Sequence, residues 1–164
     1  MFELEIRHAV PEDANLITDF IKKMVIEMEN YGGNSVNRSL NIWYSIESDV
    51  RANSARQDYI YLLAIHPLHT PTEVGMAVGN IEQLENIFVS KKRLHISAIY
   101  TVPHLRHQGV AKNLLNHLLT WGQKMNANEV DLNVLVANPA RDLYEQFGFE
   151  PHEISMTRKL ENKT

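Results

Sequence analysis

Residues 100–115 read YTVPHLRHQGVAKNLL, and the parts that follow one another here decide how the chain folds. An alternating run ends at Thr101, Pro103 stops it, and a polar loop carries Arg106 and His107. Gly109 then leads into the apolar face of Leu114 and Leu115. That order predicts a strand, a tight loop and a helix. The first turn of a helix leaves backbone N–H groups without intrahelical partners and carries the positive end of the macrodipole. Gly109 lets a ligand come close to the main chain, Ala111 keeps the next turn small, and Arg106, His107 and Lys112 supply positive or donor groups around it. Such a loop can cradle a diphosphate with its backbone. A bare strand-to-helix turn would use the same lone Gly. The pattern is neither G-x-x-x-x-G-K-[ST] nor G-x-G-x-x-G, so neither a P-loop NTPase nor a dinucleotide enzyme is supported.

Just upstream, RLHISAIYTV (93–102) alternates Leu94, Ile96, Ala98 and Tyr100 against His95, Ser97, Ile99 and Thr101. The second set is not uniformly apolar, so one face of this strand is expected to meet something other than core. YIYLLAIH (59–66) and GMAVGNIEQL (75–84) read as two more strands around the turn HPLHTPTEV. Phe2, Leu4 and Ile6 alternate with charged residues, as a short strand would. Leu16, Phe20, Met24 and Met28, with Ile17, Ile21 and Val25 beside them, predict a helix entered at Pro11 and ended by Tyr31–Gly33. The polar stretch 34–57 predicts a short helix around Leu40, Trp43, Tyr44 and Val50.

Downstream, a helix is expected from Val110 to Lys124, then a strand EVDLNVLV (129–136) with Val130, Leu132, Val134 and Val136 on one side. A helix opened by Pro139 and closed by Gly148 carries Leu143, Tyr144 and Phe147, and EISMTRKL (153–160) reads as a last strand. Local hairpins come first and a right-handed βαβ unit follows. No repeat or linker interrupts residues 1–164, which read as a single domain. The fold class is α/β (α+β), with a mixed, mostly antiparallel sheet of about seven strands and helices on both faces.

Composition is that of an ordinary globular chain, 44% hydrophobic and 22% charged. There is no Cys, which excludes disulfides, thiolate metal sites and Cys nucleophiles and fits a reducing cytoplasm. The longest apolar runs, such as IYLLAI, are too short to cross a membrane, and the N-terminus has no signal-peptide core. A net charge of −4 argues against nucleic acid as the partner. All of that charge falls in residues 1–60, whereas residues 91–112 carry Lys91, Lys92, Arg93, Arg106 and Lys112 without one acid. Solvated faces account for both runs. The alternative is an anionic ligand at the basic segment and a cationic one beside Glu27, Glu29, Glu47 and Asp49. The pairs His66/His69 and His104/His107 lie in loops without a third ligand pattern, so no metal is expected.

The run IYTVPHLRHQGVAKNLL (99–115) resembles the acetyl-CoA motif of the GNAT superfamily of N-acetyltransferases, R/Q-x-x-G-x-G/A, through Arg106, Gly109 and Ala111, with Pro103 three residues ahead. NPARDLYEQFGF (138–149) resembles the family's second signature, in which an Asn precedes L-Y-E-x-x-G-F. The family's Asn stands seven residues before the Tyr; here Ala137 holds that place and Asn138 follows it. The resemblance implies a GNAT-like acyl-CoA N-acyltransferase fold and acetyl transfer from acetyl-CoA, the co-substrate, to a primary amine, with a small molecule as the first reading of the acceptor. It leaves open a protein or peptide acceptor, a CoA-binding module without turnover, and a homodimer. It further implies that Ile99, Tyr100 and Thr101 bond the pantetheine arm through their backbone, at a place where strand 93–102 splays from strand 129–136. Arg106, His107, Gln108, Gly109, Val110, Ala111 and Lys112 would hold the diphosphate, Asn138 would touch the pantetheine, and Tyr144 would sit near the thioester sulfur as general acid.

Amide formation from a thioester needs a neutral amine, a polarised carbonyl and a protonated leaving group; with no Cys in the chain, direct attack in a ternary complex is the expected route. A phenol, with an ordinary pKa of about 10, can protonate a departing thiolate. Two groups are candidates for the base. His95 lies eleven residues before Arg106, where family members carry Glu or His, and an imidazole titrates near working pH. Glu82, mid-strand in GNIEQLE, would act through water.

Overall fold

The period-two runs become one sheet and the period-four runs become its two helical layers. The structure, a computed structural model, describes residues 4–84 and 91–160. Among these the sheet has five strands in the order β1-β2-β3-β4-β5. β1 (Glu5–His8), β2 (Tyr59–Ile65), β3 (Glu73–Leu84) and β4 (Lys91–Thr101) pair antiparallel, and β5 (Glu129–Leu132) runs parallel to β4. α1 (Ala14–Met28) and α2 (Leu40–Asn53) cover one face. α3 (Val110–Lys124) covers the other, joined by α4 (Arg141–Gln146). Phe2, expected in the first strand, lies outside the described residues.

Each face has its own core. Leu62, Ala77, Leu94 and Ile96 pack against Leu114, Leu115 and Leu118 of α3, whose side chains are fully buried. Tyr61, Leu63, Met76, Ala98 and Tyr100 pack against Ile17 and Phe20 of α1 and Val50 of α2. Burying such a side chain contributes about 1.5–3 kcal/mol, so the two apolar faces fix the sheet between the helical layers. α3 comes so close to β4 that a Cβ at Gly122 would lie 2.8 Å from Cδ2 of Leu94.

The alternation expected along 94–100 does not hold. Leu94 and Ile96 face α3, but Ala98 and Tyr100 face α1 and α2. The cause is a β-bulge: Val78 pairs with Ala98 and Gly79 with Ile96, leaving Ser97 without a partner on β3. One extra residue in a period-two strand turns every later side chain to the opposite face.

The strand count is the other difference. β5 ends at Leu132, four residues before the expected end at Val136. The segment 153–160 forms no strand; Ile154, Met156 and Leu160 alternate as a strand would but stand 88%, 88% and 84% exposed, outside both cores. The helix of 34–57 is a full 14 residues.

Candidate functional site

The loop between β4 and α3 folds as its residues demand. Pro103 opens a single 3-10 turn to Leu105, Arg106 is extended, and His107 (φ 61°) and Gly109 (φ 87°) adopt left-handed backbone. The space where a Gly109 side chain would stand is open but for Asn113 Nδ2 at 3.7 Å, so the requirement for Gly is conformational. Loops that alternate left- and right-handed residues turn successive amides into anion-binding concavities. The first α-helical bond here runs from Asn113 N–H to the Gly109 carbonyl, 2.9 Å. Among the described residues the amides of 107 to 112 find no hydrogen-bond acceptor.

The basic residues of 91–112 divide sharply. Lys91 and Arg93 bond Glu129, Arg93 also bonds Asp131, and Lys92 donates to the Met125 carbonyl. Arg106 makes a bidentate pair with Glu27 of α1, both bonds 2.6 Å, and its Nε donates to the Thr101 carbonyl at 3.1 Å. Its guanidinium also lies 5.8 Å from the centre of the Tyr100 ring. Glu27 accepts from the Tyr31 hydroxyl as well, and the Arg106 hydrogen bonds hold its carboxyl below the usual carboxylate range. Arg106 therefore ties the loop to α1. Lys112 is exposed in the first turn of α3 and alone in the basic segment has neither an ion-pair nor a side-chain hydrogen-bond partner among the described residues. It stands beside the unpartnered amides.

β4 and β5 pair only from Arg93–Glu129 to Ile96–Leu132. The pairing stops where the bulge begins, so from Ser97 to Thr101 the β5 side of β4 has no strand against it among the described residues. Ile99, Tyr100 and Thr101 lie along this open edge. Thr101 is buried, and its hydroxyl has no partner among the described residues. On the other side of the opening the chain leaves β5 toward α4. Asn138 there uses its Oδ1 to accept from Ala140 N–H at 2.9 Å, steadying the entry to α4. Tyr144 of α4 is half-buried, with its ring 5.9 Å edge-on to Phe149, and burial raises its hydroxyl pKa above the ordinary value.

His95 and Glu82 sit on the α1/α2 side of the sheet. His95 Nδ1 lies 2.9 Å from Asp131 Oδ1, its neighbour in register on β5. Glu82 stands opposite Arg93 on β4, whose guanidinium is already engaged by Glu129 and Asp131. Of the sequence pairs, His66 and His69 meet edge-on with ring centres 6.1 Å apart, and His69 also meets His104 of the other pair. His69 and His104 stack at 4.7 Å with their Nε2 atoms 2.8 Å apart, and His69 Nδ1 bonds the Pro71 carbonyl. Among the described residues no group of three or more His, Cys, Asp or Glu is arranged to hold a metal, and no helix is long and apolar enough to cross a membrane.

The profile of the Acetyltransferase (GNAT) family matches residues 38–149, which include the open edge, the loop and α4. The chain belongs to this family. An uncharacterized N-acetyltransferase of Bacillus subtilis, YsnE, is 31% identical over 96 residues, covering 50% of this chain and 60% of that protein. The chain thus aligns with less than two thirds of that relative. Among solved structures, a predicted acetyltransferase from Clostridium acetobutylicum with acetyl-CoA superposes with a TM-score of 0.76 at 17% identity, over 96% of each chain. The aminoglycoside N-acetyltransferase AAC(6')-Iy with a bisubstrate analog superposes at 0.73 and 16%, over 96% of this chain and 99% of that one. At such identities the likeness is one of fold.

Three features around the loop and the open edge were hidden in the sequence. Ser97 makes the bulge that opens the sheet, and nothing in its residue type announces it. Asp131 pairs with His95 from another strand; an acid set between Val130 and Leu132 in the run EVDLNVLV was its signal. Glu27 pairs with Arg106 across 79 positions of chain, and a charged residue on a helix otherwise rich in Ile and Met was the only trace.

Proposed function

We propose that the protein, as one domain, transfers the acetyl group of acetyl-CoA to a primary amine of a small molecule, by direct attack within a ternary complex. One observation carries this reading: unpartnered amides at residues 107–112 lie within the same βαβ unit as a β4 edge left open from Ser97. The first suits a diphosphate and the second suits an arm that has amide groups of its own, which together describe coenzyme A. His107, Gln108, Gly109, Val110, Ala111 and Lys112 hold the diphosphate, while Arg106 fixes the loop through Thr101 and Glu27. Ile99, Tyr100 and Thr101 present backbone groups to the pantetheine arm, with Asn138 on its other side.

The chemistry then divides among few groups. A backbone N–H near Tyr100 or Thr101 polarises the thioester carbonyl. His95, oriented by Asp131, removes the ammonium proton directly or through water, with Glu82 as the second candidate. The amine nitrogen bonds the acetyl carbon, the carbon–sulfur bond breaks, and Tyr144 gives its phenolic proton to the leaving thiolate; the second proton, lost from the nitrogen as the amide forms, returns through water to the Tyr144 oxygen. Burial keeps that hydroxyl protonated at neutral pH, as a donor requires. A chain without Cys fits action in a reducing cytoplasm.

Calorimetric titration with acetyl-CoA, followed by thiol release with small amines and lysine peptides, tests the reading. Binding and turnover of a small amine are expected. Turnover of peptides alone would move the acceptor class, binding without turnover would leave a CoA-binding module, and the absence of binding would end the proposal.

A further inference from the structure

The α1/α2 side of the sheet holds a cleft of about 340 Å³ that none of the groups discussed so far occupies. Met24 and Val25 of α1, Ile46 and Asp49 of α2, and Val78 and Ser97 of the sheet line it. Ser97 is the bulge residue, so the cleft floor and the open edge of β4 share one position. The cleft walls are tied together: Arg51 of α2 donates to the Pro11 carbonyl at 2.9 Å, Asn15 of α1 bonds Glu47, and Lys22 of α1 lies 5.5 Å over the Trp43 ring of α2. A preformed, mostly apolar pocket at the lower end of the usual range of about 300–1,000 Å³ suits a compact ligand.

Its charge is equally specific. Of the four acids clustered in the front half of the chain, Glu27 is paired with Arg106, Glu29 with Arg38 and Glu47 with Arg51. Asp49 has neither an ion-pair nor a hydrogen-bond partner among the described residues, and it is the charged group on the cleft lining. One carboxylate answers one ammonium. A second or third ammonium on the same ligand finds no further carboxylate on the lining, and any that enters the cleft lies against Ile, Met and Val side chains, where an uncompensated charge is strongly disfavoured.

We propose that this cleft is the acceptor pocket and that it selects a monoamine carried on an apolar body, in preference to polyamines, aminoglycosides and peptide lysines. The inference rests on the acetyl-transfer reading above. Asp49 meets the incoming ammonium, the apolar walls take the body, and the nitrogen faces the bulge at Ser97.

Wild-type protein with acetyl-CoA is assayed for thiol release against 2-phenylethylamine, spermidine, neamine and a lysine peptide. The expected kcat/KM for 2-phenylethylamine exceeds each of the others by about tenfold or more, the discrimination typical of an apolar pocket. Asp49→Asn, at an exposed position with no partner to lose, is expected to raise KM for 2-phenylethylamine by about tenfold and leave KM for acetyl-CoA unchanged. A preference for spermidine, neamine or the peptide overturns the inference and leaves acetyl transfer standing; so does an unchanged amine KM in Asp49→Asn. If no amine is turned over, the acetyl-transfer reading fails. Equilibrium binding of 2-phenylethylamine then decides the cleft: saturable binding weakened by Asp49→Asn sustains it as an amine site, and no binding overturns it.

Discussion

Replacing Glu27 by Gln removes the charge that holds Arg106 while keeping the shape of the side chain. In the native protein two bonds of 2.6 Å join the groups, and their side chains are 25% and 33% exposed. Hydrogen bonds to charged groups contribute about 1.5–3 kcal/mol when well shielded, and solvent at this partly open site lowers that to about 1–2 kcal/mol. For a chain of this size the loss corresponds to a fall in Tm of about 2–8 °C at pH 7. The pH dependence identifies the cause. Hydrogen bonding to Arg106 holds the Glu27 carboxyl below its unfolded value, so its contribution is fully present above the unfolded pKa of about 4.3. It is lost as pH falls through the lower native value. Thermal unfolding of wild type and Glu27→Gln between pH 3 and pH 7 should therefore show a gap in Tm at neutral pH that closes in acid. A gap of constant size across that range, or none at pH 7, would refute the reasoning.

Tyr144→Phe should lower kcat by about 10²-fold or more with acetyl-CoA affinity unchanged, read by thiol release and calorimetry; equal loss of binding would mark the ring as structural. Asp131→Asn should cost about tenfold in kcat by leaving the His95 ring unoriented, whereas an unchanged kcat would assign Asp131 to Arg93 alone. Gly109→Val forces a branched residue to φ 87°, a strain of about 1–2 kcal/mol, and acetyl-CoA should bind about tenfold or more weakly by calorimetry.

Much of the fold was legible because burial imposes periodicity. α3 begins and ends where Gly109 and its leucine stripe place it, and the βαβ unit follows from strand, loop and helix in that order. The loop between β4 and α3 was legible for the same local reason, since Pro103, Gly109 and Ala111 act through backbone conformation. The partners were not. Glu27 and Asp131 meet Arg106 and His95 only after the chain has folded, and their residue types are those of any solvated surface. The expected strand at 153–160 shows the converse error: alternation marks a segment that could pair as a half-buried strand, but does not by itself dock that segment on a sheet, and here its apolar residues stay exposed.

The bulge at Ser97 links these points. A regular β4 would have kept Leu94, Ile96, Ala98 and Tyr100 on one face, and β5 could have stayed paired along its length. With one residue extra, the first two serve the α3 core and the last two serve the α1/α2 core. The pairing with β5 ends at the same point. The inserted residue thus does two things at once: it opens an edge of backbone beside the loop that leads into α3, and it places that edge over the floor of the Asp49 cleft. In this reading both substrates meet where the sheet is irregular, because a regular sheet would have spent those backbone groups on its own neighbours.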